Sequence, residues 1–104
     1  MKPATFLDLH DRLCAAARNL TVSKGHGYSG EKDTLENLKA VERLGICDAQ
    51  RGVLVRLTDK FSRLAHLQGE EAQVKNESRL DTILDIINYS ILFWALEEEK
   101  NDLP

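Results

Sequence analysis

The stretch NESRLDTILDIINYSILFW, residues 76–94, decides the fold class of this 104-residue chain. Its apolar residues recur every three or four positions, which predicts an amphipathic α-helix over about 76–99. The polar face of this helix carries three carboxylates four residues apart, Glu77, Asp81 and Asp85, and no Lys or Arg shares that face. Like charges at this spacing cost a helix a few tenths of a kcal/mol. The row therefore indicates either a solvated surface or a site for a cation.

Three further segments show the helical repeat. The first is predicted over about 4–20, and the second begins at Asp33, where DTLE forms a capping box, and stops at Gly45. Asp48 is the predicted N-cap of a third helix over about 49–68. Each helix has a stripe of apolar residues that we assign to the core. They are Phe6, Leu9, Leu13, Ala16 or Ala17, and Leu20 in the first helix; Leu35, Leu38 and Val41 in the second; and Leu54, Leu57, Phe61 and Leu64 in the third. No segment alternates like a β-strand, so we expect an all-α fold, a compact four-helix bundle.

Composition and charge bound the class of protein. By its length the chain is one helical domain over residues 1–104. The net charge is −3 and no block of like charges occurs, which argues against a broad surface for duplex nucleic acid. The longest apolar run, 90–96, is too short to cross a bilayer, and charged residues interrupt the N-terminal apolar segment as they would not in a signal peptide. The two cysteines match no metal-binding spacing, so we expect reduced thiols in a cytoplasmic protein.

The segment TVSKGHGYSGEKD, residues 21–33, has glycines and no apolar period, which predicts a loop of about a dozen residues. It lacks the Walker pattern and follows no strand, so it is not a phosphate-binding P-loop. It is either a plain connector or a flap that lays Lys24 and Tyr28 over a nucleotide.

The segment VRLTDKFSRL, residues 55–64, places several charges away from the predicted apolar stripe of the third helix. A solvated face in which Asp59 bridges two arginines explains this pattern. The functional alternative is that Lys60 and one of the two arginines, Arg56 or Arg63, contact a phosphate, for which the guanidinium fork is well suited.

Four segments resemble, in order and spacing, the phage and bacterial family called nucleotide modification associated domain type 1. They are KGHGYSGEKDTLENLK, LGI, GVLVRLTDKFSRL and VKNESRLDTILDIINY, and they extend from Lys24 to Tyr89. The resemblance implies a helical fold similar to the MazG-like nucleotide pyrophosphohydrolases. In those enzymes carboxylates on two helices hold Mg²⁺ against a nucleoside triphosphate, and water cleaves between the α and β phosphates.

The resemblance also implies roles for individual residues. It implies that Glu77, Asp81 and Asp85 are catalytic and bind Mg²⁺. The nucleotide-binding residues that it implies are Lys24, Tyr28, Asn37, Lys60 and Arg63. The chain departs from the family pattern at Gly27, where Asp is usual. Asp33 with Glu36 or Asn37 is an incomplete copy of the Glu-x-x-Glu pair of the MazG-like enzymes.

Three functions remain open at this point. The chain is a Mg²⁺-dependent (deoxy)nucleoside triphosphate pyrophosphohydrolase, a phage module that binds or sequesters a nucleotide without turnover, or a helical oligomerisation domain without a small ligand. Under each of them we expect a homo-oligomer, in the simplest case a homodimer, because the last helix has more apolar surface than three short neighbours can cover.

Overall fold

The computed structural model describes residues 1–26, 34–69 and 72–102, without the side chains of 24–26 and 72–76. The helices are α1 (Pro3–His26), α2 (Ala40–Arg43), α3 (Ala49–Gln68) and α4 (Ala72–Asp102). Within these ranges every regular element is a helix, so the predicted all-α fold class is confirmed. None of the described helices is both long enough and apolar enough to cross a membrane.

Helix α1 is longer than the sequence predicted. It continues through His26, so the prediction of a loop that starts at Thr21 is wrong for residues 21–26. Thr, Val and Ser cost a helix only a few tenths of a kcal/mol each relative to better helix formers, and an established helix propagates more easily than it starts. The remainder of the predicted loop, 27–33, lies outside the described residues, as do Tyr28 and the start of the capping box.

Helix α2 is shorter than predicted, because residues 34–39 form turns and regular helix covers only Ala40–Arg43. In the turns the Leu38 amide donates to the Leu35 carbonyl oxygen at 3.1 Å, a three-residue step. Residues three apart eclipse each other in such turns, which brings both leucines to the same side. Both are buried in the core, so the core assignment is confirmed although the continuous helix is not.

Gly45 ends α2 as predicted. Its φ is +73°, and its amide donates to the Glu42 carbonyl at 2.9 Å while the Ile46 amide donates to the Val41 carbonyl at 3.0 Å. These two bonds form a Schellman motif, in which glycine is the residue that best tolerates the left-handed backbone.

Helix α3 begins and ends where the sequence predicted. The Asp48 carboxylate accepts from the Arg51 amide at 2.8 Å, which satisfies one of the unpaired donors of the first turn. The Glu42 carboxylate accepts from the Ala49 amide at 2.7 Å. This second cap joins α2 to the start of α3.

The buried face of α3 differs from the prediction. Leu54 and Phe61 are about half exposed, whereas Val53 is fully buried and Leu67 is buried. The face that packs consists of Val53, Leu57, Lys60, Leu64 and Leu67, which follow the helical repeat as well as the predicted stripe does. A lysine in the middle of the real face made the other stripe look more apolar.

Helices α3 and α4 pack as an antiparallel pair. The Gln50 amide nitrogen lies 3.3 Å from the Glu97 carboxylate near the start of α3, and Arg79 donates to the Gln68 side chain at 2.8 Å near its end. The core cluster at this contact consists of Leu35, Leu38, Ala49, Val53 and Leu96, with Leu57, Tyr89, Leu92, Phe93 and Ala95 packed against it.

Helix α1 packs against α4 and, among the described residues, does not reach α2 or α3. Ala17 is buried at this contact, and the Asn88 side-chain amide donates to the Ala17 carbonyl at 3.1 Å. Helix α4 is therefore the central helix, with the α2–α3 unit and α1 on different sides of it.

Candidate functional site

The basic segment of α3 and the acidic row of α4 meet at one ion pair. The Lys60 ammonium lies 3.1 Å from a carboxylate oxygen of Asp85, and the two side chains are 31% and 24% exposed. The antiparallel pairing of the helices puts these positions opposite each other. No Lys or Arg of α4 shares the face of the acidic row, but the neighbouring helix α3 supplies a cation at Asp85.

Lys60 occupies a position of α3 that faces α4, between Leu57 and Leu64. A lysine can lie there because its methylene chain packs along apolar surface while the ammonium reaches the polar edge. A partly buried charge is costly without a partner. Asp85 supplies that partner. Because one residue lies on α3 and the other on α4, the packing of the two helices keeps the pair together.

A second cation lies one helical turn away. The Arg56 guanidinium lies over the Tyr89 ring, 5.9 Å from its centroid. Arg56 and Tyr89 each stand four residues from Lys60 and Asp85 respectively, so the two contacts are stacked along the same groove between α3 and α4. We call Arg56, Lys60, Asp85 and Tyr89 the Lys60–Asp85 site.

Of the two additional members, Arg56 is one of the arginines that the sequence offers for a phosphate, whereas the sequence assigns Tyr89 no role. Tyr89 lies one turn from Asp85, and a four-residue step keeps side chains on one face, so the sequence contains a signal for it. What the sequence could not supply is the pairing between the helices, which depends on their antiparallel register.

Asp81 is exposed and lies one turn of α4 before Asp85. On a helix with about 100° per residue, Asp81 falls between the directions of Asp85 and Asn88. Asp85 contacts α3 and Asn88 contacts α1, so Asp81 faces the space between those two helices. Glu77, also exposed, continues the row one turn farther on.

The three carboxylates form an open row rather than a closed cage. Side chains at this spacing are about 5–6 Å apart at Cβ, and within the described ranges no three His, Cys, Asp or Glu side chains converge on one point. Mg²⁺ is usually held by one or two carboxylates, phosphates and waters. Exposed Glu77 and Asp81 fit that role for an ion that arrives with phosphates, whereas one carboxylate oxygen of Asp85 is paired with Lys60.

The other predicted nucleotide-binding residues lie in different places. Arg63 is exposed, three residues beyond Lys60 on α3. Asn37 is exposed in the turns before α2, whose neighbouring leucines pack near Leu96. Leu96 is eleven residues from Asp85 along α4, a rise of roughly 16 Å, so Asn37 is not brought to the Lys60–Asp85 site. The Lys24 side chain and Tyr28 lie outside the described residues.

A second polar cluster, which the sequence did not predict, lies at the far end of α4. Lys39 pairs with Glu99 at 2.5 Å, and Gln50 contacts both Glu97 and Lys100. Lys39, Gln50, Glu99 and Lys100 line a cavity of about 270 Å³ at the start of α3. The contacts of Lys39 and Gln50 with α4 hold the α2–α3 corner against that helix.

Comparison with known proteins adds no relative, because no family model, curated protein or solved structure matches this chain.

Proposed function

We propose that this chain binds a nucleotide through its phosphates at the Lys60–Asp85 site. The observation that carries the proposal is the 3.1 Å contact between Lys60 and Asp85. From the sequence, Lys60 is predicted to contact a phosphate and Asp85 a divalent cation. The two residues are 25 positions apart in the chain. A triphosphate with its cation needs both kinds of group close together.

The arrangement suggests how a ligand would be accommodated. Lys60 is neutralised by Asp85 in the free protein, and a triphosphate offers it a denser negative charge. Transfer of Lys60 to a phosphate would release one carboxylate oxygen of Asp85, which could then act with Asp81 and Glu77. A divalent ion shared by these carboxylates and the phosphates would offset the repulsion within the row and polarise the phosphates. Arg56 supplies a further cation one turn away.

Two functions are compatible with such a site. In the first, the chain is a Mg²⁺-dependent pyrophosphohydrolase of (deoxy)nucleoside triphosphates, with the α4 carboxylates as its catalytic and metal-binding residues. In the second, it captures a nucleotide without turnover. The engagement of Asp85 by Lys60 favours the second function, because a carboxylate already held by a cation is a poorer ligand. Gly27 also favours capture without turnover, because the family pattern has an acidic Asp at this position and this chain does not.

The test is a panel of nucleoside mono-, di- and triphosphates with MgCl₂, with inorganic phosphate for comparison. We expect triphosphates to raise Tm most, since a ligand at a hundred times its Kd stabilises a protein by about 2.7 kcal/mol. Chromatography of the same samples separates the two functions: monophosphate and pyrophosphate indicate the enzyme, and intact triphosphate indicates capture. A Tm that no nucleotide changes would contradict the proposal itself.

Variants locate the site. Lys60→Met should abolish the nucleotide-dependent rise in Tm, and Asp85→Asn should remove its dependence on Mg²⁺. The matched control is Lys39→Met, which breaks the other half-buried pair with α4, Lys39 with Glu99, far from the site. Equal loss of the nucleotide response in both lysine variants would show that stability, rather than ligand contact, had been measured. Far-UV circular dichroism verifies that each variant remains helical.

A further inference from the structure

Helix α4 has an apolar stripe that the rest of the described chain leaves open. Ile91 is 62% exposed and Trp94 is 59% exposed, and Leu80 and Ile87 fall in the same direction on a helix with about 100° per residue. That direction is opposite to the side on which Asp85 and Tyr89 meet α3. The stripe therefore lies on the outside of the α3–α4 pair, next to α1.

Helix α1 extends this stripe into a groove. Leu7, Cys14 and Thr21 repeat every seven residues along α1, so they share one side of the helix. A cavity of about 370 Å³ opens between that side and α4, where Cys14 and Thr21 face Ile87 and Ile91. We call this groove and the adjoining side chains of Ile91 and Trp94 the α1–α4 face.

The accessible area of the chain is larger than that of a compact monomer. The chain exposes 8060 Å², whereas a folded monomer of this mass exposes about 5,900 Å². Its radius of gyration is 16.0 Å, against about 13 Å for a compact domain of this length. Burial of about 800 Å² per chain, as in a standard stable interface, would remove part of this excess.

We propose that the α1–α4 face is the interface of a symmetric homodimer. A second copy presents the same unfilled groove and the same exposed tryptophan, as a two-fold interface requires. An antiparallel pairing of the two α4 helices about Ile91 places Trp94 of each chain against the groove of the other at Ile87. Buried tryptophans in apolar pockets are frequent anchors of interfaces. Arg18 and Glu98 lie near the face. Because the face carries charges of both signs, a second copy would not be repelled, as it would be by a face whose charges all had one sign.

This proposal does not depend on nucleotide binding. Its test is the mass in solution, measured by sedimentation or light scattering from low to high micromolar chain concentration. We expect twice the 11.7 kDa of one chain. Trp94→Glu, alone and with Ile91→Glu, should shift the population to monomer while the circular dichroism spectrum stays helical. The matched control is Phe61→Glu on α3, a similarly exposed apolar residue outside the α1–α4 face, which should leave the dimer intact.

A second readout uses the two cysteines. Cys14 lines the groove and Cys47 lies before α3, and both are free thiols. Alkylation of Cys14 should slow as the dimer forms and recover in Trp94→Glu, while Cys47 serves as the internal reference. A single-chain mass at the highest concentration would overturn the proposal. So would a dimer that survives Trp94→Glu and dissociates in Phe61→Glu, or one whose formation leaves the alkylation rate of Cys14 unchanged.

Discussion

Individual residues between α2 and α3 determine the path of the chain there. Gly45 provides a left-handed backbone with φ +73°, and Asp48 has an extended backbone whose carboxylate accepts from the Arg51 amide. Each position has one local chemical requirement that few residue types satisfy. For that reason both ends of this connection could be predicted from the sequence.

Gly45→Ala should lower the free energy of unfolding by about 1–2 kcal/mol, because an L-residue is strained in the left-handed region. No atom lies within 4 Å of an added Cβ, so strain, and not a clash, would cause the loss. Urea unfolding measures it. Gly69→Ala is the control: Gly69 has φ −85° and an added Cβ would meet only the His66 carbonyl at 3.8 Å, so stability should stay the same or rise slightly. Equal losses in the two variants would rule out the backbone explanation.

Contacts between residues on different helices were less predictable than these local ones. Lys60 and Asp85 were each assigned a function from the sequence, but their pairing was not, since helical spacing reports only neighbours within one helix. The bond from the Ala49 amide to the Glu42 carboxylate also joins two helices, and helical spacing did not predict it. It requires the turn at Gly45, which folds α2 back toward the start of α3.

At the level of elements, the sequence predicted the extent of α3 but not its buried face. Two stripes, one through Val53 and one through Leu54, have nearly the same helical spacing, and packing against α4 selects the first. Helix α2 is short for a related reason. Turns at 34–39 bury Leu35 and Leu38 directly, and this tertiary contact outweighs a weak local helix preference.

The contact between α2 and α3 depends on Gly52, a helical glycine at which an added Cβ would lie 3.0 Å from a Val41 methyl carbon. Alanine in place of glycine gains about 1 kcal/mol of helix propensity, but valine is stiff at χ1 and cannot easily move away. We expect Gly52→Ala to destabilise the protein, and to stabilise it when Val41→Ala is also present. Chemical denaturation of the four proteins in this double-mutant cycle gives the coupling. Additive changes would exclude the steric contact as the cause.

At the level of the whole molecule, the order of the helices in space could not be read from their sequences. Periodicity shows that a helix has an apolar side, but several neighbours can cover the same side. In the structure α4 contacts both α3 and α1, while α1 has no other helix beside it within the described ranges. Hence α1 should separate from the molecule without disrupting the α3–α4 pair.

Ala17→Leu tests this independence. Ala17 is 1% exposed, at the contact with α4, so a larger side chain should weaken the docking of α1 by about 1–3 kcal/mol. Hydrogen exchange measured by mass spectrometry should become faster in α1 and stay unchanged in α3 and α4, as expected for a local opening. Ala15→Leu, at an exposed position of the same helix, controls for the change in side chain. Both proteins also carry Trp94→Glu, so that subunit association does not contribute to the protection of α1. Faster exchange in all three helices would mean that α1 unfolds together with the α3–α4 pair as one cooperative unit.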